Sequence, residues 1–207
     1  MLPGMRARTT LIAMAVSIAL VGAAVGFWYV VEPDARFLAG DVRTSGKALV
    51  GGPFDLVDQT GTRRTDEEFR GRYMLIVFGY TYCPDICPAE LQVVSAALDR
   101  LGASADRIQP IFITVDPERD TVDQLADYMQ HFHPRFVGLT GTAEEIERVA
   151  KAYRVYYAKV DDDSAGDYLM DHSTIIYLMD GKGDFVTHFT YGITPEKLAA
   201  ELAAFVG

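Results

Sequence analysis

Hydrophobic residues are concentrated in one long segment near the start of the chain. Residues 11–31 contain no charged residue, and 18 of these 21 residues are hydrophobic. A helix of that length rises about 30 Å, which is enough to cross the hydrocarbon core of a membrane. Arg6 and Arg8 precede the segment, and aromatic residues occupy 27–29 at its far end. This arrangement predicts a cytoplasmic N-terminus at 1–10, a transmembrane anchor at 11–31 and export of the remainder.

A cleaved signal peptide is the alternative interpretation, because Ala24 and Gly26 offer a small-x-small cleavage site. The hydrophobic part of a signal peptide runs roughly 7 to 15 residues, so the greater length of this segment favours an uncleaved anchor. Both interpretations export the rest of the chain. We therefore expect a single-pass protein of the inner (cytoplasmic) membrane, with a linker at 32–50 and a periplasmic domain at 51–207.

The exported part alternates between strand-like and helix-like patterns. An unbroken apolar run at 73–78 is typical of a strand that is buried on both faces. Largely apolar stretches at 108–115 and 174–179 predict two further buried strands, although Pro110 weakens the start of the second strand. The turn at 180–183 joins the third strand to a further strand, 185–190, in a hairpin. Helical spacing and capping residues predict helices after Pro88 to Leu101, from Val122 to Met129, from Thr142 to Tyr153 and from Pro195 to Phe205. The alternation predicts an α/β sandwich with a mixed central sheet.

Charge and cysteine count exclude several classes of protein. Without the first 31 residues the chain has 17 basic and 29 acidic residues, a formal charge of −12. Such an acidic domain is not expected to bind nucleic acid. Cys83 and Cys87 are the only cysteines, which excludes a disulfide-stapled mini-protein and a four-cysteine zinc site.

The two cysteines lie where a buried strand leads into a helix, at the edge of the sheet where α/β proteins tend to place their sites. Cys87 precedes Pro88, which suits a helix start, so the positive end of the helix is expected to favour the Cys87 thiolate. A thiolate there can attack a disulfide or bind a soft metal ion. A structural disulfide or two buried thiols are the plainer alternatives.

Histidines are the further metal ligands to consider. His172 lies immediately before the third buried strand, at a sheet edge that can face the cysteine loop. His131, His133 and His188 fit ordinary surface positions. Two thiolates and an imidazole would suit copper, and zinc is chemically possible as well. Spacing alone leaves the participation of His172 open, because 85 residues separate it from Cys87.

Three motifs in order resemble the Sco/SenC family of membrane-tethered copper proteins: CPDICP at 83–88, VDPERDT at 115–121 and DHS at 171–173. The resemblance covers about 51–207 and implies a thioredoxin-like fold. It implies that Cys83, Cys87 and His172 bind Cu(I) or Cu(II). The implied role is that of a chaperone rather than an enzyme, which delivers copper to, or maintains the thiols of, the binuclear copper site of cytochrome c oxidase subunit 2 or another copper acceptor.

Two positions in these motifs leave a role open. Many family members have His where this chain has Tyr82, which leaves the ligand set intact but alters its surroundings. Asp116 in the second motif would either support the site electrostatically and by hydrogen bonds to nearby backbone, or simply end a strand and cap a helix.

A membrane-tethered thiol-disulfide oxidoreductase is the main alternative function, since it shares the implied fold and also needs paired cysteines. Thioredoxins, however, separate their cysteines by two residues, whereas three residues intervene here. They also place a cis-proline opposite the cysteines, where this chain has Asp171-His172-Ser173-Thr174. Peroxidase chemistry fits less well, because it calls for an isolated reactive cysteine and both cysteines here share one loop.

Overall fold

The computed structural model describes residues 49–162 and 167–206. The predicted N-terminus, anchor and most of the linker lie outside these residues. Within the described part, no helix combines the length and apolarity needed to span a membrane.

A seven-stranded sheet forms the centre of the domain. The strands are β1 (Asp55–Asp58), β2 (Arg63–Thr65), β3 (Tyr73–Gly79), β4 (Ile108–Thr114), β5 (Val137–Thr140), β8 (Ile175–Met179) and β9 (Phe185–Thr190). Their order across the sheet is β2-β1-β5-β4-β3-β8-β9. The middle strands β3, β4 and β5 run parallel, and the remaining pairs are antiparallel. The predicted mixed sheet is confirmed.

Helices cover both faces of the sheet, which is why its central strands read as continuous apolar runs. Successive side chains of β3 point to opposite faces: Met74, Ile76 and Phe78 enter one hydrophobic cluster, and Leu75 and Val77 enter the other. The helices are α1 (Ile86–Leu101), α2 (Val122–Met129), α3 (Ala143–Ala152) and α4 (Pro195–Val206). Helix α3 packs on the first face, and α1, α2 and α4 pack on the second. The predicted α/β sandwich is therefore confirmed.

A two-stranded sheet stands apart from the central one. It consists of β6 (Tyr157–Asp162) and β7 (Asp167–His172), which pair antiparallel. The sequence did not predict this hairpin, because charged residues interrupt the apolar positions of its strands. Met170 is buried in the hydrophobic core, and Tyr157 and Tyr168 pack beside it. The sequence did not predict β5 either, since four residues are too short for a recognisable period.

Two local predictions about proline need correction. Pro110 does not disrupt β4, which pairs with β3 along its whole length, Pro110 included. Pairing with β5 begins only at Ile111, so Pro110 lies where one edge of β4 has no neighbouring strand. Helix α1 begins at Ile86 rather than after Pro88. Pro88 is accommodated in the first turn, where a backbone N–H would have no partner within the helix.

Candidate metal centre

The cysteine loop leaves the carboxyl end of β3 and returns through the start of α1. Cys87 is the second residue of that helix and is 1% exposed, whereas Cys83 in the loop is half-buried. Gly79, the last residue of β3, lies against Cys87: a Cβ atom at Gly79 would approach Cys87 Sγ to 2.9 Å. The absence of a side chain at Gly79 therefore lets the buried sulfur pack against the end of the strand.

The structure brings together Cys83, Cys87 and His172, the three residues that the family resemblance implies as ligands. Their sulfur and imidazole nitrogen atoms all lie within 4.8 Å of one another. Cys87 Sγ is 3.3 Å from His172 Nε2, and both cysteines are free thiols. His172 is the last residue of β7, so the hairpin that the sequence did not reveal carries the histidine to the cysteine loop.

Backbone contacts orient the imidazole of His172. Its Nδ1 lies 3.1 Å from the carbonyl oxygen of Ser173, which can only accept a hydrogen bond. In the neutral ring Nδ1 therefore holds the proton, and Nε2 has a lone pair on the side of the sulfurs. Burial lowers the pKa of His172, but the hydrogen bond to Cys83 raises it overall and so favours a second proton at Nε2 in the metal-free protein. A backbone carbonyl that fixes the tautomer in this way is a common support for a metal-binding histidine. The ring also packs edge-on against Tyr80, with centroids 5.9 Å apart.

The structure places the thiolate on Cys83, which corrects the prediction for Cys87. A hydrogen bond from the Cys87 thiol, with further help from His172 and the backbone N–H groups of Cys87 and Asp85, lowers the pKa of Cys83 to about 3 against the effect of burial. The same hydrogen bond and burial raise the pKa of Cys87. The Cys87 N–H in the first turn of α1 is 3.4 Å from Cys83 Sγ, so the helix start stabilises the other sulfur.

Asp120 binds the start of the cysteine loop through hydrogen bonds, and it was not among the predicted site residues. Its carboxylate is fully buried and accepts hydrogen bonds from the Thr81 N–H at 3.0 Å, the Thr81 hydroxyl at 2.7 Å and the Thr114 hydroxyl at 2.5 Å. Burial raises its pKa, and the threonine hydrogen bonds oppose that rise. Asp120 thus ties the loop to the end of β4.

Glu90 is a second buried carboxyl group near the site that was not among the predicted residues. It is 4% exposed, and within the described part of the chain its Oε1 atom has no hydrogen-bond partner. Burial raises its pKa to about 7; His172 opposes the rise and Cys83 adds to it. The signal in the sequence was its spacing, because Glu90 lies three residues after Cys87 and so shares its helix face.

The buried Glu90 predicts a pH-dependent stability for the metal-free protein. Its pKa in the folded state lies above its usual value of 4.5, so the folded chain holds the proton more tightly than the unfolded chain. This contribution to stability is complete below pH 4.5 and is lost as the pH rises toward 7. Chemical denaturation at pH 5 and pH 8 measures this effect. Between these pH values the free energy of unfolding of wild type should fall by up to about 3 kcal/mol more than that of Glu90→Gln.

Glu147→Gln, which alters an exposed glutamate of α3, is the control for this prediction and should follow the wild type at both pH values. Parallel pH profiles for wild type and Glu90→Gln would contradict the assignment.

Asp116 contacts the hairpin rather than the metal-site backbone. Its side chain is 1% exposed and accepts hydrogen bonds from the Tyr168 hydroxyl at 2.8 Å and from Arg119 Nε at 2.5 Å. Tyr82, the position that departs from many family members, is half-exposed, and the Arg119 guanidinium lies 4.9 Å from its ring centre. The second motif therefore contacts both the hairpin and the cysteine loop.

The other histidines do not join the site. His131 and His188 are exposed, as predicted, whereas His133 is half-buried and its Nδ1 accepts a hydrogen bond from the Arg135 N–H. Among residues 49–162 and 167–206, the cluster of Cys83, Cys87 and His172 is the group of histidine, cysteine and acidic side chains with metal-ligand geometry. A groove of about 470 Å³ adjoins it and gives access to Cys83 and His172.

Comparisons with known proteins agree with this geometry. The family model for SCO1/SenC matches residues 42–207. The Homo sapiens protein SCO1 homolog, mitochondrial, is 41% identical over 194 residues, which cover 92% of this chain and 64% of that protein. This chain therefore spans less than two thirds of the length of that relative, and 44% of the length of Arabidopsis thaliana protein SCO1 homolog 1, mitochondrial.

Solved structures show the same fold. The structure of Bradyrhizobium japonicum ScoI with copper bound is 47% identical, has a TM-score of 0.70 and covers 75% of this chain and 99% of its own. The structure of Arabidopsis thaliana ScoI with copper bound is 42% identical and has a TM-score of 0.71. The match covers 75% of this chain and 96% of the Arabidopsis chain. These matches confirm the thioredoxin-like α/β fold. By its match to the family model and its identity to these relatives, the chain belongs to the SCO1/SenC family.

Proposed function

We propose that the protein binds copper through Cys83, Cys87 and His172. The observation that carries this proposal is the convergence of two free thiols and one oriented imidazole within 4.8 Å. Two sulfurs and one nitrogen form a soft donor set that favours Cu(I), and the imidazole also suits Cu(II). The copper-bound relatives at 42% and 47% identity support the choice of copper over zinc.

The protonation of the cysteines prepares the site for a metal ion. Cys83 is already a thiolate, because hydrogen bonds lower its pKa to about 3. Cys87 still holds its proton, and metal ligation requires its thiolate. Copper would therefore bind to a site with one preformed sulfur anion and displace the proton of the buried thiol. The Ser173 carbonyl holds one ring proton of His172 at Nδ1, so Nε2 faces the sulfurs. Burial lowers the pKa of His172, but the hydrogen bond to Cys83 raises it overall, so copper also competes with a proton at Nε2.

We further propose that the copper is cargo for the assembly of cytochrome c oxidase, at the binuclear site of subunit 2 or at another copper acceptor. Cys83 is half-buried and borders the groove, so an incoming ligand can reach it while Cys87 stays covered. The sequence of residues 11–31 supports a single-pass anchor in the inner membrane, with the copper domain on the periplasmic side. The acidic exported domain supports contact with a protein rather than a nucleic acid.

A thiol-disulfide oxidoreductase is the second candidate, and the ionised, accessible Cys83 favours it. Its thiolate would attack a partner disulfide and release one partner thiolate. Cys87, after losing its proton, would then attack Cys83 Sγ, which forms the Cys83–Cys87 disulfide and releases the second partner thiolate. Rapid disulfide reduction without metal, with a rate unchanged in His172→Ala, would support this function over copper binding.

The direct test is an anaerobic titration of the reduced protein with Cu(I), followed by X-ray absorption spectroscopy at the copper edge. We expect one copper ion per chain and sulfur ligands in its coordination shell. A coordination shell without sulfur, or no binding in the presence of a weak competing chelator, would overturn the proposal.

A further inference from the structure

The position of His172 depends on a hairpin that is not part of the central sheet. Strands β6 and β7 pair only with each other among the described strands, and His172 is the last residue of β7. At this end the chain continues through Ser173 and Thr174 into β8, which holds the histidine from one side. In the middle of β7, Met170 is buried in the hydrophobic core, and the part of the hairpin beyond it needs polar contacts to lie against the domain.

Arg119 supplies contacts of this kind to β7. Its Nη1 donates a hydrogen bond of 2.9 Å to the backbone carbonyl of Tyr168, and its guanidinium lies 3.7 Å from the centre of the Tyr168 ring. Nε of Arg119 donates to Asp116, which also accepts from the Tyr168 hydroxyl. The Arg119 side chain is 14% exposed and that of Asp116 is 1% exposed, so solvent weakens this pair much less than a surface ion pair.

The same guanidinium reaches the cysteine loop. It lies 4.9 Å from the ring centre of Tyr82 and 5.8 Å from that of Tyr80. Tyr80 in turn packs edge-on against the imidazole of His172. Arg119 therefore stands between the strand that carries the histidine ligand and the loop that carries the first cysteine ligand.

We propose that Arg119 is a positioning residue for the metal centre: it holds the β6–β7 hairpin against the cysteine loop and so keeps His172 within reach of the sulfurs. This inference rests on the proposed copper site. Only the planar guanidinium satisfies the fork of hydrogen bonds and the stack on Tyr168 at once, so lysine does not replace it. The two cysteines share one short loop and do not depend on the hairpin for their own approach.

Hydrogen-deuterium exchange of the metal-free full chain tests the structural half of the proposal. Arg119→Lys should increase amide exchange in β6 and β7 by about tenfold or more, because a charge-assisted hydrogen bond and a stack on an aromatic ring are lost. Exchange in β3 and β4 should stay within about twofold of wild type. Arg135→Lys is the matched control, since Arg135 bonds to Asp106 and Ile108 at the opposite end of β4.

Copper spectroscopy on the same variants tests the functional half. The Cu(II) form of Arg119→Lys should show altered electron paramagnetic resonance and visible spectra, as expected for a displaced imidazole, whereas Arg135→Lys should match wild type. The affinity for Cu(I) should fall by less than about tenfold, because both sulfur ligands remain. Tyr168→Phe, which removes only the hydroxyl, should leave the spectra close to wild type because the stack on Arg119 remains.

Unchanged exchange in the hairpin, unchanged Cu(II) spectra, or an equal rise in exchange throughout the domain would overturn the role of Arg119. If Arg119→Lys does not fold, Arg119→Gln carries the same tests, and global unfolding of both variants would assign Arg119 to overall stability and contradict the proposal. Failure of the wild type to bind copper would instead reject the proposed function, while the exchange result would still report on the hairpin.

Discussion

Replacement of Cys87 by serine is expected to reduce the affinity for Cu(I) by at least about a thousandfold. Copper(I) prefers soft sulfur, and a serine hydroxyl neither ionises near neutral pH nor offers a soft donor. Cys83→Ser should have an effect of the same size, since it removes the sulfur that is already ionised. His172→Ala should weaken Cu(I) binding less, because both thiolates remain, and should change the Cu(II) form more. Anaerobic competition against a chromophoric Cu(I) chelator measures all three.

The matched control is Ala89→Ser, which adds a hydroxyl at an exposed position of the same helix, two residues after Cys87. It should bind copper as the wild type does. Serine at 87 fits the space of the cysteine, which is packed against Gly79, so circular dichroism should show a folded variant. A folded Cys87→Ser protein with wild-type Cu(I) affinity would show that the ligand set is wrong.

The parts of the fold that the sequence predicted are those in which local pattern and burial agree. The apolar run of β3 and the spacing of α1 identified a strand-to-helix junction, and the cysteines lie on it. His172 was placed at a sheet edge by its position before β8, and it reaches Cys87 Sγ at 3.3 Å. In each case a few neighbouring residues carry enough information, because burial of a strand or helix face dictates their order.

The remaining features depend on contacts between distant residues. The thiolate was assigned to Cys87 on helix position alone, but Cys87 is buried and donates to Cys83, so the charge lies on the more exposed sulfur. Asp120 and Arg119 belong to a motif that the sequence made conspicuous, yet their partners lie 39 and 49 residues away. No local period reports such pairings, and charged residues interrupt the apolar positions of the β6–β7 hairpin that would have revealed its strands.

Loss of the Asp120 carboxylate is expected to destabilise the domain strongly. Asp120→Ala removes the acceptor for the Thr81 N–H and for the hydroxyls of Thr81 and Thr114 in a fully buried position. The hydroxyls can turn to other partners, but the Thr81 N–H is fixed by the backbone and stays buried. We expect the free energy of unfolding to fall by about 3 to 5 kcal/mol, a large part of the stability of a domain this size.

Denaturant unfolding of the metal-free protein measures this loss, and two variants locate its cause. Asp120→Asn retains one carbonyl acceptor for the Thr81 N–H, so it should cost only about 1 to 2 kcal/mol. Asp123→Ala removes an exposed carboxylate from the first turn of α2 and should cost about 0.5 kcal/mol through the helix dipole alone. If Asp120→Ala unfolds within 1 kcal/mol of Asp123→Ala, the buried hydrogen bonds do not anchor the cysteine loop. The loss of unfolding free energy should be largest for Asp120→Ala, smaller for Asp120→Asn and smallest for Asp123→Ala. This order is expected only if the loss comes from the unpaired Thr81 N–H rather than from the lost charge.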